Sequence, residues 1–129
     1  MQPKVNKKGI RHQLKSFRWA FQGLSEFFQI ETKARIHLVA SAIAVFTGAI
    51  LSIEIKSWLF ILLAIALVFM AEIINTALET VAETLPDNFD SKRKTIKDLG
   101  AGAVLISAAF ALVTALLIFI PALKDWVKQ

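Results

Sequence analysis

The chain has 129 residues, of which 56% are hydrophobic, and its mean hydropathy is +0.59. A soluble domain of this size is less apolar, so the composition indicates a membrane protein, and the net charge of +5 is better explained by topology and anionic lipid than by nucleic acid. The absence of cysteine excludes disulfides and thiolate metal sites.

The N-terminal region predicts a disordered tail over residues 1–12 and an amphipathic helix over residues 13–34. Five large apolar residues recur there at steps of three and four, the spacing of one helical face: Leu14, Phe17, Phe21, Leu24 and Phe28. Such a helix is expected to lie on the cytoplasmic membrane surface, with its aromatic rings among the lipid headgroups.

Three apolar runs follow, and each is long enough to cross a hydrocarbon core of roughly 30 Å as a helix. They predict transmembrane helices over 36–53, 58–78 and 99–123. A short turn joins the first two spans, and the charged stretch 79–98, long enough to carry polar ligands, joins the last two. The predicted fold class is therefore all-α: one membrane-embedded domain with three transmembrane helices and a surface helix.

Two features of the first span have more than one interpretation. Ala40, Ala44 and Gly48 form a small-residue ladder of the kind that lets helices approach closely, although such ladders also arise by chance in membrane helices. His37 begins the span and is interpreted as an interfacial residue. Neither His12 nor His37 has the spacing to a second histidine that a zinc site needs.

The distribution of basic residues predicts the orientation. Of the fifteen Lys and Arg residues, eight precede the first span, four lie between the second and third, and three lie on the opposite side. Positively charged segments stay in the cytoplasm, so the N-terminus and the stretch 79–98 are expected there and the C-terminus outside.

An acid inside the second span is the most informative feature of the sequence. A carboxylate in this position costs about 2.5–3.5 kcal/mol on insertion scales, so Glu72 is expected to face a partner or a polar cavity. One helical face here carries two acids, an amide and a hydroxyl: Glu72, Asn75, Thr76 and Glu79. Taken alone, Glu72 is equally compatible with a structural acid paired to a base on another helix.

Several charged residues converge on the cytoplasmic side in this topology: Glu31, Glu72, Glu79, Lys97 and Asp98. Clustered carboxylates repel one another unless a cation lies between them, and Mg²⁺ binds a few carboxylates together with substrate phosphates. These groups are the ingredients of phosphoryl transfer from a nucleotide. The sequence has no G-x-x-x-x-G-K-[ST] loop, and the glycines of Gly100–Gly102 are assigned to helix packing.

Two segments carry a family resemblance. Residues 71–79 (AEIINTALE) and 97–104 (KDLGAGAV) resemble the signature pair of the prokaryotic diacylglycerol kinase family, which includes the undecaprenol kinases. Upstream, residues 17–24 (FRWAFQGL) and the Glu31…Arg35-Ile36-His37 stretch match the N-terminal pattern of that family. The resemblance extends over about residues 14–120.

The resemblance implies a small lipid kinase of the bacterial cytoplasmic membrane that uses ATP and Mg²⁺. It also implies a homotrimer with active sites between subunits at the cytoplasmic interface. In such a kinase Glu72 is the general base that takes the proton of the lipid hydroxyl. Glu31 and Glu79 hold Mg²⁺, and Asn75 helps to orient the site.

The resemblance also implies the residues that bind the nucleotide. Lys97 contacts the ATP phosphates, and Asp98 supports the nucleotide site. Glu83 stands where the family often has Asp and reaches the nucleotide. Asp90 stands where relatives often have His, so a nucleotide contact from that position is left open.

Two questions stay open at the level of sequence. Diacylglycerol is placed first as the acceptor, because the wider family is named after it. Its phosphorylation gives phosphatidic acid. Thr76 stands where some diacylglycerol-directed relatives have Ser, and this favours undecaprenol, converted to undecaprenyl phosphate. A rival of another class is a proton- or cation-conducting oligomer with Glu72 as relay group. Against this rival, the polar positions gather on one side of the membrane and form no path across it.

Overall fold

The computed structural model describes residues 7–128, with side chains from residue 12 onward. Four α-helices and one 3₁₀ turn account for almost all of this part of the chain: α1 (Lys7–Ile30), α2 (Thr32–Ile50), α3 (Ile55–Glu83), the turn Asp87–Phe89 and α4 (Asp90–Val127). Residues 7–128 contain no strand, which confirms the predicted all-α class. The chain divides into two compact units, one ending at Thr32 and the other beginning at Lys33.

Helix α1 lies earlier in the chain than the sequence predicted. It covers 7–30 in place of 13–34, so half of the predicted tail, residues 7–12, is helical, and residues 1–6 lie outside the described part. Glu31 is the single non-helical residue between α1 and α2, and its N–H still donates to the Phe27 carbonyl at 2.9 Å. The apolar side chains of Leu14, Phe17 and Phe21 are exposed, as expected of a helix whose apolar face contacts lipid.

The turn between α2 and α3 stops the first span three residues before its predicted end. Ser52 has a φ of 48°, and the Ile53 N–H donates to the Gly48 carbonyl at 3.2 Å. This is the Schellman arrangement, in which a left-handed residue satisfies the last carbonyls of a helix. A Cβ at Gly48 would lie 3.1 Å from the Trp58 ring, so one position of the small-residue ladder does form a close contact.

Helices α3 and α4 pack side by side as an antiparallel pair. The buried residues of α4 are small or hydroxyl-bearing and lie seven apart, at Gly100, Ser107 and Thr114. A Cβ at Gly100 would overlap Asn75 Oδ1 and lie 3.4 Å from Asn75 Cγ. Glycine at this position therefore allows α4 to approach α3, as small residues do at membrane helix interfaces.

The predicted charged connection over 79–98 is mostly helical. Only 84–89 interrupts the two helices, because α3 continues to residue 83 and α4 begins at residue 90. Arg93 ties this turn together. Its Nη2 donates to the Leu85 carbonyl, and its guanidinium lies 3.5 Å from the carboxylates of Asp87 and Asp90. The polar residues at either end of the stretch therefore sit on helices.

Among the described residues, α2, α3 and α4 are long and apolar enough to cross a membrane, which confirms the three predicted spans. Helix α3 has 29 residues and α4 has 38. At 1.5 Å per residue they extend about 44 Å and about 57 Å, well beyond a hydrocarbon core of roughly 30 Å. Their shared polar ends therefore project out of the apolar layer.

We expect Gly100→Ala to lower the free energy of unfolding by about 1–3 kcal/mol, because the new methyl group displaces Asn75 from a packed interface. Gly102→Ala is the matched control. Nothing lies within 4 Å of a Cβ at that position, so the gain in helix propensity should stabilise by up to about 1 kcal/mol. Unfolding of both variants in detergent, followed by circular dichroism, tests the contact. Equal effects of the two substitutions would contradict it.

Candidate active site

Glu72 and Asn75 are the largest fully buried side chains in the described chain, with 1% and 2% exposure. Glu72 Oε1 lies 3.2 Å from His37 Nε2, which joins α3 to α2. An ionised carboxylate only accepts hydrogen bonds, so the Nε2–H tautomer of His37 is the form that donates to an ionised Glu72. The second oxygen, Oε2, is buried and has no hydrogen-bond partner.

The polar face predicted on α3 continues towards the helix end. Asn75 Nδ2 donates to Glu79 Oε1 at 3.0 Å, and Lys33 Nζ lies 3.9 Å from the same oxygen. Lys33 and His37 are one turn apart on α2, so two polar bridges link this helix to α3. Polar side chains of both α2 and α3 therefore form the site.

Three buried polar atoms within about one turn of α3 have no hydrogen-bond partner: Glu72 Oε2, Asn75 Oδ1 and Thr76 Oγ1. A buried polar group without a partner costs about 1–3 kcal/mol, and folded proteins avoid it in most places. Two of the three atoms are pure acceptors and the third is a hydroxyl. Of these atoms, Asn75 Oδ1 packs against Gly100, whereas Glu72 Oε2 is a carboxylate oxygen with unused acceptor capacity.

A second polar cluster lies where α3 ends and α4 begins. Lys97 Nζ lies 3.1 Å from Glu83 Oε1, so two residues predicted to bind nucleotide are brought together. Asp98, the next residue of α4, is exposed. An exposed ion pair contributes only about 0–1 kcal/mol, so Lys97 can leave Glu83 for a phosphate at little cost.

The predicted metal ligands fall in different units of the chain. Glu31 belongs to the N-terminal unit and Glu79 to the second. Within residues 7–128, no three Asp, Glu or His side chains are placed to hold a metal ion together. The partly exposed carboxylate of Glu79 still suits Mg²⁺, because this ion takes one or two protein carboxylates and completes its shell with water and substrate phosphates.

An apolar cavity of about 220 Å³ lies among α2, α3 and α4 of the second unit. His37 and Ser41 line it on the side of Glu72, and it extends to Phe119. Ala40 and Ala44 also line it, so these two positions of the small-residue ladder leave open space beside α2.

Comparison with known proteins decides the family. Residues 18–119 match the sequence profile of the prokaryotic diacylglycerol kinases. The undecaprenol kinase of Bacillus subtilis is 31% identical over 123 residues, which cover 95% of this chain and all of that protein. The chain belongs to the prokaryotic diacylglycerol kinase family. This confirms the predicted resemblance.

Two further relatives are named diacylglycerol kinases. The Synechocystis protein is 32% identical over 111 residues, or 85% of this chain and 63% of that protein. The Escherichia coli protein is 27% identical over 109 residues, or 84% of this chain and 89% of that protein. The chain is therefore a membrane-embedded lipid kinase, and membership of a kinase family implies that it uses ATP.

Two contacts of the acids on α3 were not predicted from the sequence. His37 was interpreted as interfacial and Lys33 only as a topological charge, whereas the structure places both against acids of α3. The spacing of these residues in the sequence could have indicated the contacts. Lys33, His37 and Ser41 recur every four residues and so share one face of α2.

We expect Glu72→Leu to raise the free energy of unfolding of the kinase by about 1–3 kcal/mol, because it removes a desolvated carboxylate with one unpartnered oxygen while the partly exposed His37 can bond to water instead. Glu83→Leu is the control on the same helix. Its carboxylate is mostly exposed, so the change should stay below about 1 kcal/mol. Thermal unfolding in detergent micelles measures both. A loss of stability in Glu72→Leu would show that the acid is mainly structural.

Proposed function

We propose that this kinase transfers the γ-phosphoryl group of ATP to the hydroxyl of a membrane lipid, with Glu72 as the general base. The observation that carries the proposal is the buried carboxylate of Glu72, which His37 holds by one oxygen while the other has no partner. A general base must lie within hydrogen-bond reach of the proton that it removes. Glu72 Oε2 is the acceptor atom available for that proton.

In the proposed step the hydroxyl oxygen of the lipid attacks the γ-phosphorus of ATP. The bond between that phosphorus and the bridging oxygen of the β-phosphate breaks, and ADP leaves with the bond electrons. The hydroxyl proton passes to Glu72 Oε2 and later to water. Because phosphoryl transfer depends mainly on positioning and charge neutralisation, most of the other residues are expected to orient groups and balance charge.

The nucleotide is proposed to bind at the shared polar end of α3 and α4. Lys97 exchanges Glu83 for a phosphate oxygen, and the carboxylates of Glu83 and Asp98 flank the nucleotide. The close contact between Gly100 and Asn75 supports this arrangement, because it joins the start of α4 to the helix that carries the base.

The divalent ion is proposed to be held by Glu79 and Glu31. Asn75 supports this role, because its amide fixes one oxygen of Glu79 at 3.0 Å and so limits the rotation of that carboxylate. When bound, Mg²⁺ neutralises phosphate charge as the reaction proceeds.

We place undecaprenol first as the acceptor and diacylglycerol second. The match to the undecaprenol kinase of Bacillus subtilis covers 95% of this chain and the whole of that protein, and it reverses the order that the sequence analysis gave. Thr76, which stands where some diacylglycerol-directed relatives have Ser, also favours undecaprenol. Diacylglycerol stays a candidate because two relatives that match over 84–85% of this chain carry that name. Both acceptors offer a primary hydroxyl, so the role of Glu72 is the same for either.

The assembly and orientation are part of the same proposal. We propose a homotrimer in the bacterial cytoplasmic membrane, with the N-terminus and the active site facing the cytoplasm. Two observations support it. Large apolar side chains cover much of the exposed surface of α2 and α4, which suits both acyl chains and other copies. Twelve of the fifteen basic residues stand before the first span or between the second and third, and positively charged segments of this kind stay in the cytoplasm.

Labelled ATP and an equal mole fraction of undecaprenol and diacylglycerol in mixed micelles test the acceptor. We expect purified protein to label undecaprenol at the higher initial rate, and to label neither lipid when Mg²⁺ is withheld. Preferential labelling of diacylglycerol would reverse the order of the acceptors. Labelling of neither lipid in the presence of Mg²⁺ would contradict the proposed reaction.

For the base, Glu72→Gln should lower kcat by about 10²–10⁴-fold, because the amide keeps the size of the side chain and cannot take the proton. Glu54→Gln is the control. This acid is exposed at the opposite end of α3, so its loss should leave turnover unchanged. Turnover of folded Glu72→Gln within tenfold of the wild-type value would assign the base to another group.

A further inference from the structure

We infer that His37 is a positioning residue of this kinase: it holds Glu72 by one carboxylate oxygen and so presents the other to the acceptor hydroxyl. The inference rests on the proposed role of Glu72 as base. It assigns a function to a residue that the sequence predicted to be interfacial.

The geometry of the pair carries the inference. Glu72 is 1% exposed, so water does not orient its carboxylate, and His37 is the hydrogen-bond partner that the structure gives it. The Nε2–Oε1 distance is 3.2 Å, while Oε2 has no partner. The hydrogen bond therefore distinguishes two oxygens that are chemically equivalent in a free carboxylate.

The surroundings of His37 are an apolar cavity on one side and the buried carboxylate of Glu72 on the other. The imidazole is about one quarter exposed and forms part of the wall of the apolar cavity, together with Ser41 and Ala40. His37 therefore lies between an apolar space and the buried acid.

A fixed carboxylate matters because glutamate has a long side chain. Ordering such a side chain costs up to about 2 kcal/mol of rotamer entropy, and an error of about 1 Å in the position of a reacting group can cost about 100-fold in rate. The bond from His37 meets this requirement in the folded protein, before the lipid arrives. Its loss should act on turnover and leave substrate binding largely intact.

Three substitutions at residue 37 test the inference, because the new side chains differ in whether they can donate a hydrogen bond to Glu72. His37→Leu removes the donor. His37→Gln places an amide N–H near the position of Nε2, whereas His37→Asn places it near Nδ1, too short to reach Glu72. We expect a fall in kcat of about 100-fold in the Leu and Asn variants, KM for ATP and lipid within threefold of wild type, and recovery to within tenfold in the Gln variant.

Leu38→Ala is the matched control, because Leu38 is the next residue of α2 and is exposed. Its kcat should equal that of wild type. If the Leu and Asn variants, once shown to be folded, turn over like wild type while Glu72→Gln is inactive, His37 has no positioning role and the proposed base stands. If Glu72→Gln is also active, the proposed role of Glu72 as base fails, and the positioning role that rests on it fails too. Equal losses in the Gln and Asn variants would likewise overturn the positioning role.

A spectroscopic measurement keeps the test decisive even if His37→Leu does not fold. The chain has two histidines, so ¹⁵N-labelled His12 serves as an internal reference in the same sample. We expect Glu72→Gln to move the Nε2 resonance of His37 and leave the resonances of His12 in place. An unmoved His37 resonance would show that the two side chains are not bonded in the membrane-embedded protein, and would overturn the inference.

Discussion

A carboxylate shielded from water within the helical unit is the constraint on which the site depends. Glu72 loses almost all of its hydration, and an isolated charge in such a place is costly. One hydrogen bond from His37 offsets part of this cost and leaves half of the carboxylate unused. Helices α2 and α3 are therefore held in a register in which the imidazole of His37 meets the carboxylate of Glu72 inside an apolar bundle.

The seam between α3 and α4 meets a second requirement, which is to bring the proposed phosphate-binding residue Lys97 to the same end of the helices as the proposed base. Gly100, Ser107 and Thr114 form a narrow strip on α4, and the first of them lies against Asn75. Lys97 lies one turn before Gly100 on the same helix. The small residues of the seam thus fix the position of Lys97 on α4 relative to Glu72 on α3, without any loop between them.

Much of this could be predicted from the sequence, because it follows from local rules. Apolar runs predict spans, and the 100° step of a helix places Glu72 and Asn75 on one face. The partner of Glu72 could not be predicted in the same way. It depends on which face of α2 turns towards α3, a tertiary property that a histidine at a span boundary does not reveal. The helical form of 79–83 and 90–98 was missed, because these charged residues resemble a loop in sequence and the short turn between them is closed by tertiary contacts of Arg93.

The residues proposed to bind the nucleotide lie on rigid helices, and this restricts where residues can be inserted or deleted. Lys97 meets Glu83 because both stand on continuous helices, so their phase is fixed by the number of residues between each of them and the core. One inserted residue between Lys97 and Gly100 rotates Lys97 by about 100° relative to the packed part of α4 and breaks the alignment. Length changes in relatives of this protein should therefore gather in the turn 84–89, where the backbone can absorb them without rotating either helix.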